Sequence, residues 1–211
     1  MPLFKKIKHN EHTEILVWNI SESKEQLLRD LSLTKNSIDR INSMRDIQHQ
    51  KGFISVRKLL AVVGYKDSDL FYTADGKPHL KDGKRISITH SFEFSAIAIS
   101  KAQIGIDIEK NREKIIKIAP KFVADEYDFM AEENVVEFLT VVWGAKESLY
   151  KIHPDGGLLF KHHLPVEAFK LKDKKTKAWI KKDKYYEVFD IYFEKIKGYT
   201  LVYATNSLRT K

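Results

Sequence analysis

The sequence predicts an α+β protein. Two observations carry this. Apolar residues recur at helical spacing in a few long blocks, chiefly over 38–63 and 139–152, and at period two in many short ones. The short blocks are separated by turn-forming or lysine-rich stretches, so several of them read as hairpin partners. Each half of the chain thus offers a helix followed by antiparallel strands.

Taken in order, residues 14–20 (EILVWNI) read as a first strand. Residues 24–31 have helical spacing, with Leu27, Leu28 and Leu31 on one side. Residues 38–63 read as a long helical region with a break near Gly52. It carries Arg45, Lys51, Arg57 and Lys58; either of the last two could face a cleft while Leu59 and Leu60 pack, and a basic solvated face is the alternative. A short strand at 70–73 precedes Asp75-Gly76-Lys77-Pro78, where Asp-Gly signals a turn and Pro78 forces an extended path. A second turn, Lys81-Asp82-Gly83-Lys84, leads into strand 85–91 (RISITHS). His90 there, between Thr89 and Ser91, is either a satisfied structural side chain or a phosphate donor. Another strand spans 94–100.

Residues 110–121 carry Lys110, Arg112, Lys114, Lys117 and Lys121 among isoleucines, and Pro120 is expected to start a helix holding Phe122, Glu126, Tyr127 and Phe129. Glu132, Glu133 and Glu137 form an acidic stretch before the next element. Residues 139–152 (LTVVWGAKESLYKI) make a helix that ends before Pro154 and Gly156-Gly157. Val142, Ala145, Leu149 and Ile152 share one stripe; Trp143, Glu147 and Lys151, spaced i, i+4, i+8, share another. Strands are expected at 166–171, 177–181, 186–194 and 199–205. His162 and His163, adjacent on such a strand, would point to opposite faces and make a poor metal pair.

Composition bounds the function. The chain has 211 residues, enough for one large domain or two small ones with a real core. At 43% hydrophobic it is not a disordered chain. The absence of cysteine excludes disulfides, thiol catalysis and thiolate metal sites. Neither a signal peptide nor a membrane-length apolar run is evident, so a cytoplasmic protein with no membrane partner is expected. The formal charge of +8 favours an anionic partner. The dense lysine run at 172–184 reads as an ordinary solvated hairpin, and nucleic acid is not expected because no motif with its aromatic signature occurs.

One stretch admits two readings, a solvated strand end and a cation site. In Gly105-Ile106-Asp107-Ile108-Glu109, period two places the isoleucines on one strand face and both carboxylates on the other. At about 6 Å and an effective dielectric of about 20 the two carboxylates repel by about 3 kcal/mol. A solvated strand end tolerates that; a hard cation such as Mg²⁺ requires it.

Together these pieces resemble the 4′-phosphopantetheinyl transferases of the larger, surfactin-synthetase-activating type. The matching motifs, in family order, are Gly76-Lys77-Pro78, Ile86-Ser87-Ile88-Thr89-His90-Ser91, Gly105-Ile106-Asp107-Ile108-Glu109, Lys121-Phe122 with Glu126-Tyr127, and Trp143-Gly144-Ala145-Lys146-Glu147-Ser148-Leu149-Tyr150-Lys151. Thr89 stands where the family has serine and Lys121 where it has arginine.

The resemblance implies two similar α+β halves in a pseudo-twofold arrangement, here 1–109 and 110–211, with the active site in the cleft between them. It implies transfer of 4′-phosphopantetheine from coenzyme A to a carrier-protein serine, releasing adenosine 3′,5′-bisphosphate. Asp107, Glu109 and Glu147 would hold Mg²⁺, with Mn²⁺ an alternative. Lys77, Thr89, His90 and Lys151 would donate to the phosphates, and Arg57, with Arg45 second, would hold the 3′-phosphate. Glu126 or Glu147 would take the serine proton, with Lys151 beside them. An acidic acyl or peptidyl carrier protein would dock on the basic 110–121 segment, and a monomer is expected. The alternative class is a non-enzymatic basic protein that binds RNA or an acidic partner on the same fold.

Overall fold

A computed structural model describes residues 3–130 and 133–206. The chain forms two compact units, 1–101 and 102–211.

The first unit holds a six-stranded antiparallel sheet in the order β1-β2-β6-β5-β4-β3. Its strands are β1 (Leu3–Asn10), β2 (Thr13–Asn19), β3 (Leu70–Tyr72), β4 (Pro78–Leu80), β5 (Arg85–Ser91) and β6 (Phe94–Ser100). Three helices accompany it: α1 (Lys24–Leu28), α2 (Lys35–Ser43) and α3 (Ile47–Val62). Ile54, Leu59 and Leu60 of α3 join Leu16, Ile97 and Ile99 of the sheet in one buried cluster.

Two expectations change in this unit. β1 was not foreseen, although its exposure alternates along the strand as period two requires. The helical region over 38–63 is broken at 44–46 and not at Gly52. Asp46 caps α3 by accepting from the amides of Gln48 and His49, which starts a new helix there. Gly52 lies inside α3, where a Cβ would stand 3.1 Å from the His90 ring.

The second unit holds a four-stranded antiparallel sheet in the order β7-β10-β9-β8. These strands are β7 (Ile104–Lys110), β8 (Lys175–Lys182), β9 (Tyr185–Ile196) and β10 (Tyr199–Thr205). The long helix α5 (Val135–Ile152) packs on β7 and β10. Val142, Ala145 and Leu149 meet Phe189, Ile191, Val202 and Ala204 in the core, so the apolar stripe of the sequence is the buried one. The short helices α4 (Lys114–Ile118) and α6 (Phe160–His163) complete the unit.

Here too the sequence reading is corrected. No helix starts at Pro120; residues 119–121 and 125–129 form short 3₁₀ turns. The strand expected over 166–171 reduces to a single bridge, Val166 to Ala178. His162 and His163 sit in α6, not on a strand. Glu132 lies outside the described residues, as do Met1 and Pro2. The division expected at Glu109 assigned β7 to the first half. Every residue of β7 pairs with β10, so β7 belongs to the second sheet and the compact units meet between Lys101 and Ala102. No described helix is long and apolar enough to cross a membrane.

Candidate active site

The acidic strand owes its place to two glycines. A Cβ at Gly105 would lie 2.0 Å from the backbone oxygen of Ser148, so only glycine lets α5 close onto β7. A Cβ at Gly144 would lie 2.6 Å from Val202 Cγ2 and 3.8 Å from Asp107 Oδ2. Both glycines therefore bring the outer stripe of α5 down to the polar face of β7.

On that face Asp107 is buried and Glu109 half-buried, whereas Ile106 and Ile108 are fully enclosed, as period two demands. Lys151 Nζ donates to Asp107 Oδ1 at 2.9 Å and to the Ile106 carbonyl at 2.7 Å. Glu147, one turn before Lys151, is half-buried. Burial, reinforced by the Asp107 carboxylate and then by Glu109, pushes the Glu147 carboxyl up to about 7, although Lys151 pulls the other way. Asp107 thus pairs with the Lys151 ammonium, and Glu147 lies near enough to Asp107 and Glu109 to feel both charges, all within the second unit. The strand and the helix that supply them need no residue of the first unit.

The donors are all carboxylate oxygens, the set a hard divalent cation takes. In donor type the residues fit Mg²⁺ or Mn²⁺. As the chain stands, Lys151 provides the positive charge, and no group of three His, Cys, Asp or Glu among the described residues is disposed to enclose a metal ion.

Glu126 is placed elsewhere. Its Oε1 lies 2.6 Å from Lys146 Nζ, with both side chains closed to solvent. It also accepts the amides of Ala124 at 2.7 Å and Val166 at 3.2 Å. Lys146 donates further to the carbonyls of Phe122 at 2.6 Å and Phe160 at 3.2 Å. Burial pushes the Lys146 ammonium below its usual range, and Glu126 opposes that. The pair ties α5 to the segments at 122–126 and 160–166, and in this structure Glu126 is held by Lys146 and two backbone amides. The helical pattern held the signal: Lys146 follows Val142 by one turn and adjoins Ala145, inside the apolar stripe.

Arg57 is likewise held by an opposite charge, although it also lines a depression in the first unit. It is 5% exposed, its Nε donates to Asp67 Oδ1 at 3.0 Å, and its guanidinium lies 3.4 Å from the Phe53 ring centroid. A buried charge must be paired, and Asp67 pairs it. Asp67, 10 residues further on, carried no sequence signal of this role.

Beside this pair the first unit has an open depression of about 1030 Å³ lined by Thr34, Ser37, Arg40, Ser43, Phe53 and Tyr72 among others. The Arg40 guanidinium sits 5.7 Å from the Phe53 ring and 5.4 Å from the Tyr72 ring. Sequence reasoning missed Arg40. Arg45 is exposed between α2 and α3. His90 is exposed at the end of β5 with the His49 ring 6.0 Å away, and Thr89 beside it is buried. Lys77 is half-buried on the turn before β4.

The 110–121 segment exposes Arg112, Lys114, Lys117, Lys121 and Ile116. A recess of about 200 Å³ runs beside it, lined by Glu109, Lys110, Arg112, Lys114, Ile115 and Trp143 among others.

Residues 103–204 match the 4′-phosphopantetheinyl transferase superfamily. The chain is 30% identical over 156 residues to 4′-phosphopantetheinyl transferase gsp of Aneurinibacillus migulanus, covering 70% of this chain and 64% of that one. It is 30% identical over 130 residues to enterobactin synthase component D of Salmonella typhimurium, covering 56% of this chain and 53% of that one. The matches span less than two thirds of either relative's length.

Proposed function

We propose that this chain, whose residues 103–204 belong to the 4′-phosphopantetheinyl transferase superfamily, moves the 4′-phosphopantetheine group of coenzyme A onto a serine hydroxyl of an apo acyl or peptidyl carrier protein. The serine oxygen bonds to the β-phosphorus, the bond from that phosphorus to the bridging oxygen breaks, and adenosine 3′,5′-bisphosphate leaves. What supports this reading is the Lys151–Asp107 pair beside Glu147, whose carboxyl burial and the nearby Asp107 and Glu109 push up. A basic binding protein on the same fold has no use for three mutually repelling carboxylates.

Asp107, Glu109 and Glu147 are the residues that would hold Mg²⁺ or Mn²⁺, and the ion supplies Lewis-acid neutralisation of the pyrophosphate as the P–O bond breaks. Lys151 is in reach of the same carboxylates and donates to phosphate oxygen once released from Asp107. Lys77, Thr89 and His90 contribute further donors to the phosphates of coenzyme A. Of the two candidate bases only Glu147 keeps a carboxylate outside a buried ion pair, so Glu147 accepts the serine proton. With Arg57 committed to Asp67, Arg40 takes over the role of 3′-phosphate ligand, and exposed Arg45 remains the second candidate.

The carrier docks on the 110–121 segment, where lysines meet its acidic surface and isoleucines its apolar residues. The same reading has the chain acting in the cytoplasm as a monomer. The test is direct: incubation with coenzyme A, Mg²⁺ and an apo carrier protein raises the carrier's mass by one phosphopantetheine. An unchanged mass across several unrelated apo carriers overturns the assignment.

A further inference from the structure

The sheet of the second unit has an outer face that the transfer reaction does not use. Residues 170–184 contain eight lysines and two aspartates, +6 of the chain's formal +8. Along β8, Lys175, Lys177, Trp179 and Lys181 point outward, while Ala178 and Ile180 point into the core. Across the ladder they face Tyr192, Asp190, Val188 and Tyr186 of β9. Lys181 Nζ lies 5.3 Å from the Trp179 ring and 5.5 Å from the Tyr186 ring, and Tyr186 is 68% exposed.

Lysines on an edge strand ordinarily block unwanted pairing. That role is already filled here. The outer edge of β8 is covered by the preceding loop: Val166 bridges Ala178, Glu167 donates its amide to the Lys177 carbonyl at 2.8 Å, and Trp179 donates to the Pro165 carbonyl at 3.1 Å. Nor do the lysines serve internal ion pairs; Lys175, Lys177 and Lys181 form none among the described residues. A row of half-buried tryptophan, exposed lysine and exposed tyrosine has no use in a merely solvated hairpin, whereas aromatic anchors beside cations are what protein interfaces concentrate.

We propose that the outer face of β8 and β9 is a docking surface for an acidic protein segment, separate from the transfer site. Lys175, Lys177 and Lys181 meet its carboxylates, and Trp179 and Tyr186 receive an apolar side chain between them. A protein fits better than a nucleic acid. Asp190 stands directly across from Lys177, where a continuous run of phosphates meets repulsion and a folded or extended peptide can place an apolar or basic residue.

The test uses a fluorescein-labelled peptide of alternating glutamate and leucine, with a labelled oligo-dT strand as the second probe, followed by anisotropy on the full chain. The peptide binds, weakens steeply with added salt, and loses at least tenfold in affinity in the Lys175→Glu, Lys177→Glu, Lys181→Glu triple variant. Tyr186→Ala, which leaves the charge unchanged, loses severalfold. Lys114→Glu with Lys117→Glu, on the other basic surface, loses less peptide affinity than the triple variant; a loss as large or larger there overturns the proposal. Equal peptide affinity in the triple variant and the parent overturns the proposal. So does tighter binding of oligo-dT than of the peptide, or a Tyr186→Ala variant indistinguishable from the parent. Circular dichroism of each variant separates lost binding from lost fold. None of these readouts depends on transfer activity, so the surface stands or falls apart from the function proposed above.

Discussion

The ammonium of Lys146 and the carboxylate of Glu126 meet at 2.6 Å with both side chains sealed from water. Removing one partner of such a pair leaves an uncompensated buried charge and costs about 3–5 kcal/mol. Glu126→Ala is expected to lower stability by that amount in urea unfolding. Joining Glu126→Gln to Lys146→Met removes both charges while Gln keeps an acceptor for the Val166 amide. That double variant is expected to regain more than half the loss. Equal instability of the single and double variants would show that the hydrogen bonds to Ala124 and Val166, not the charge pair, matter most.

Gly105→Ala is expected to be worse than any nearby surface change. Its Cβ would meet backbone at 2.0 Å, which no side-chain rotation relieves. The helix must lift from β7, with a penalty of about 3 kcal/mol or more, at or above the upper end of ordinary overpacking. Thermal unfolding checks this. A change of less than about 1 kcal/mol would mean that α5 and β7 are not tightly coupled.

The contrast between these residues shows what was legible in the sequence. Strands β5 and β7 and the two stripes of α5 followed from periodicity, because an element that buries one face must alternate, whereas β6 and β10 are buried along their whole length and were legible as short apolar runs. Spacing plus resemblance singled out Asp107, Glu109, Glu147 and Lys151, of which Lys151 and Asp107 pair and Glu147 feels the charge of the other carboxylates. Partner choice did not follow. Glu126 and Arg57 looked like free functional groups because a sequence shows a charge without the opposite charge that folding sets beside it. Lys146 and Asp67 are those partners, 20 and 10 residues away. The boundary between halves was misplaced for a similar reason. β7 is near β6 in sequence but hydrogen-bonds to β10, and nothing local in the chain announces a partner about a hundred residues away.

The Arg57–Asp67 pair makes stability depend on pH. Burial on its own raises the Asp67 carboxyl, but the amide and hydroxyl of Thr34, the hydroxyl of Ser37 and the Arg57 guanidinium outweigh it and hold the group below its ordinary value. A depressed folded value means that this stabilisation is fully present above the unfolded value of about 3.9. It is lost as pH falls through the folded value. Asp67→Asn should therefore unfold at lower temperature than the parent at pH 7, and the gap should narrow as pH falls below the unfolded value of about 3.9. A gap independent of pH would remove the charge of Asp67 as its cause.

Asp107→Asn and Glu147→Gln keep the size of each side chain and remove one charge. Each is expected to reduce phosphopantetheine transfer at least about a hundredfold, the scale seen when an electrostatic group is removed from an active site. Both should fold, since removing one of three crowded carboxylates relieves repulsion. A readout independent of transfer is thermal stability with and without Mg²⁺. The parent is expected to melt higher in Mg²⁺ and the two variants to respond less. Full transfer by either variant, or an unchanged Mg²⁺ response in both, would dismiss these carboxylates as the metal set.

Lys114 and Lys117 flank Ile115 and Ile116 on α4, and Lys114 lines the recess whose wall includes Glu109. Both lysines are exposed, so their charge acts mainly before contact, by steering an acidic carrier toward the site. Reversing both to glutamate changes the local charge by four units without touching a buried group, and stability should stay within about 0.5 kcal/mol of the parent. The KM for an acidic apo carrier should rise about tenfold or more, with kcat little changed, and added salt should slow the parent while barely affecting the variant. A matching fall in kcat at saturating carrier would instead place these lysines in the chemical step. Indifference to both the substitutions and the salt would move carrier docking to another surface.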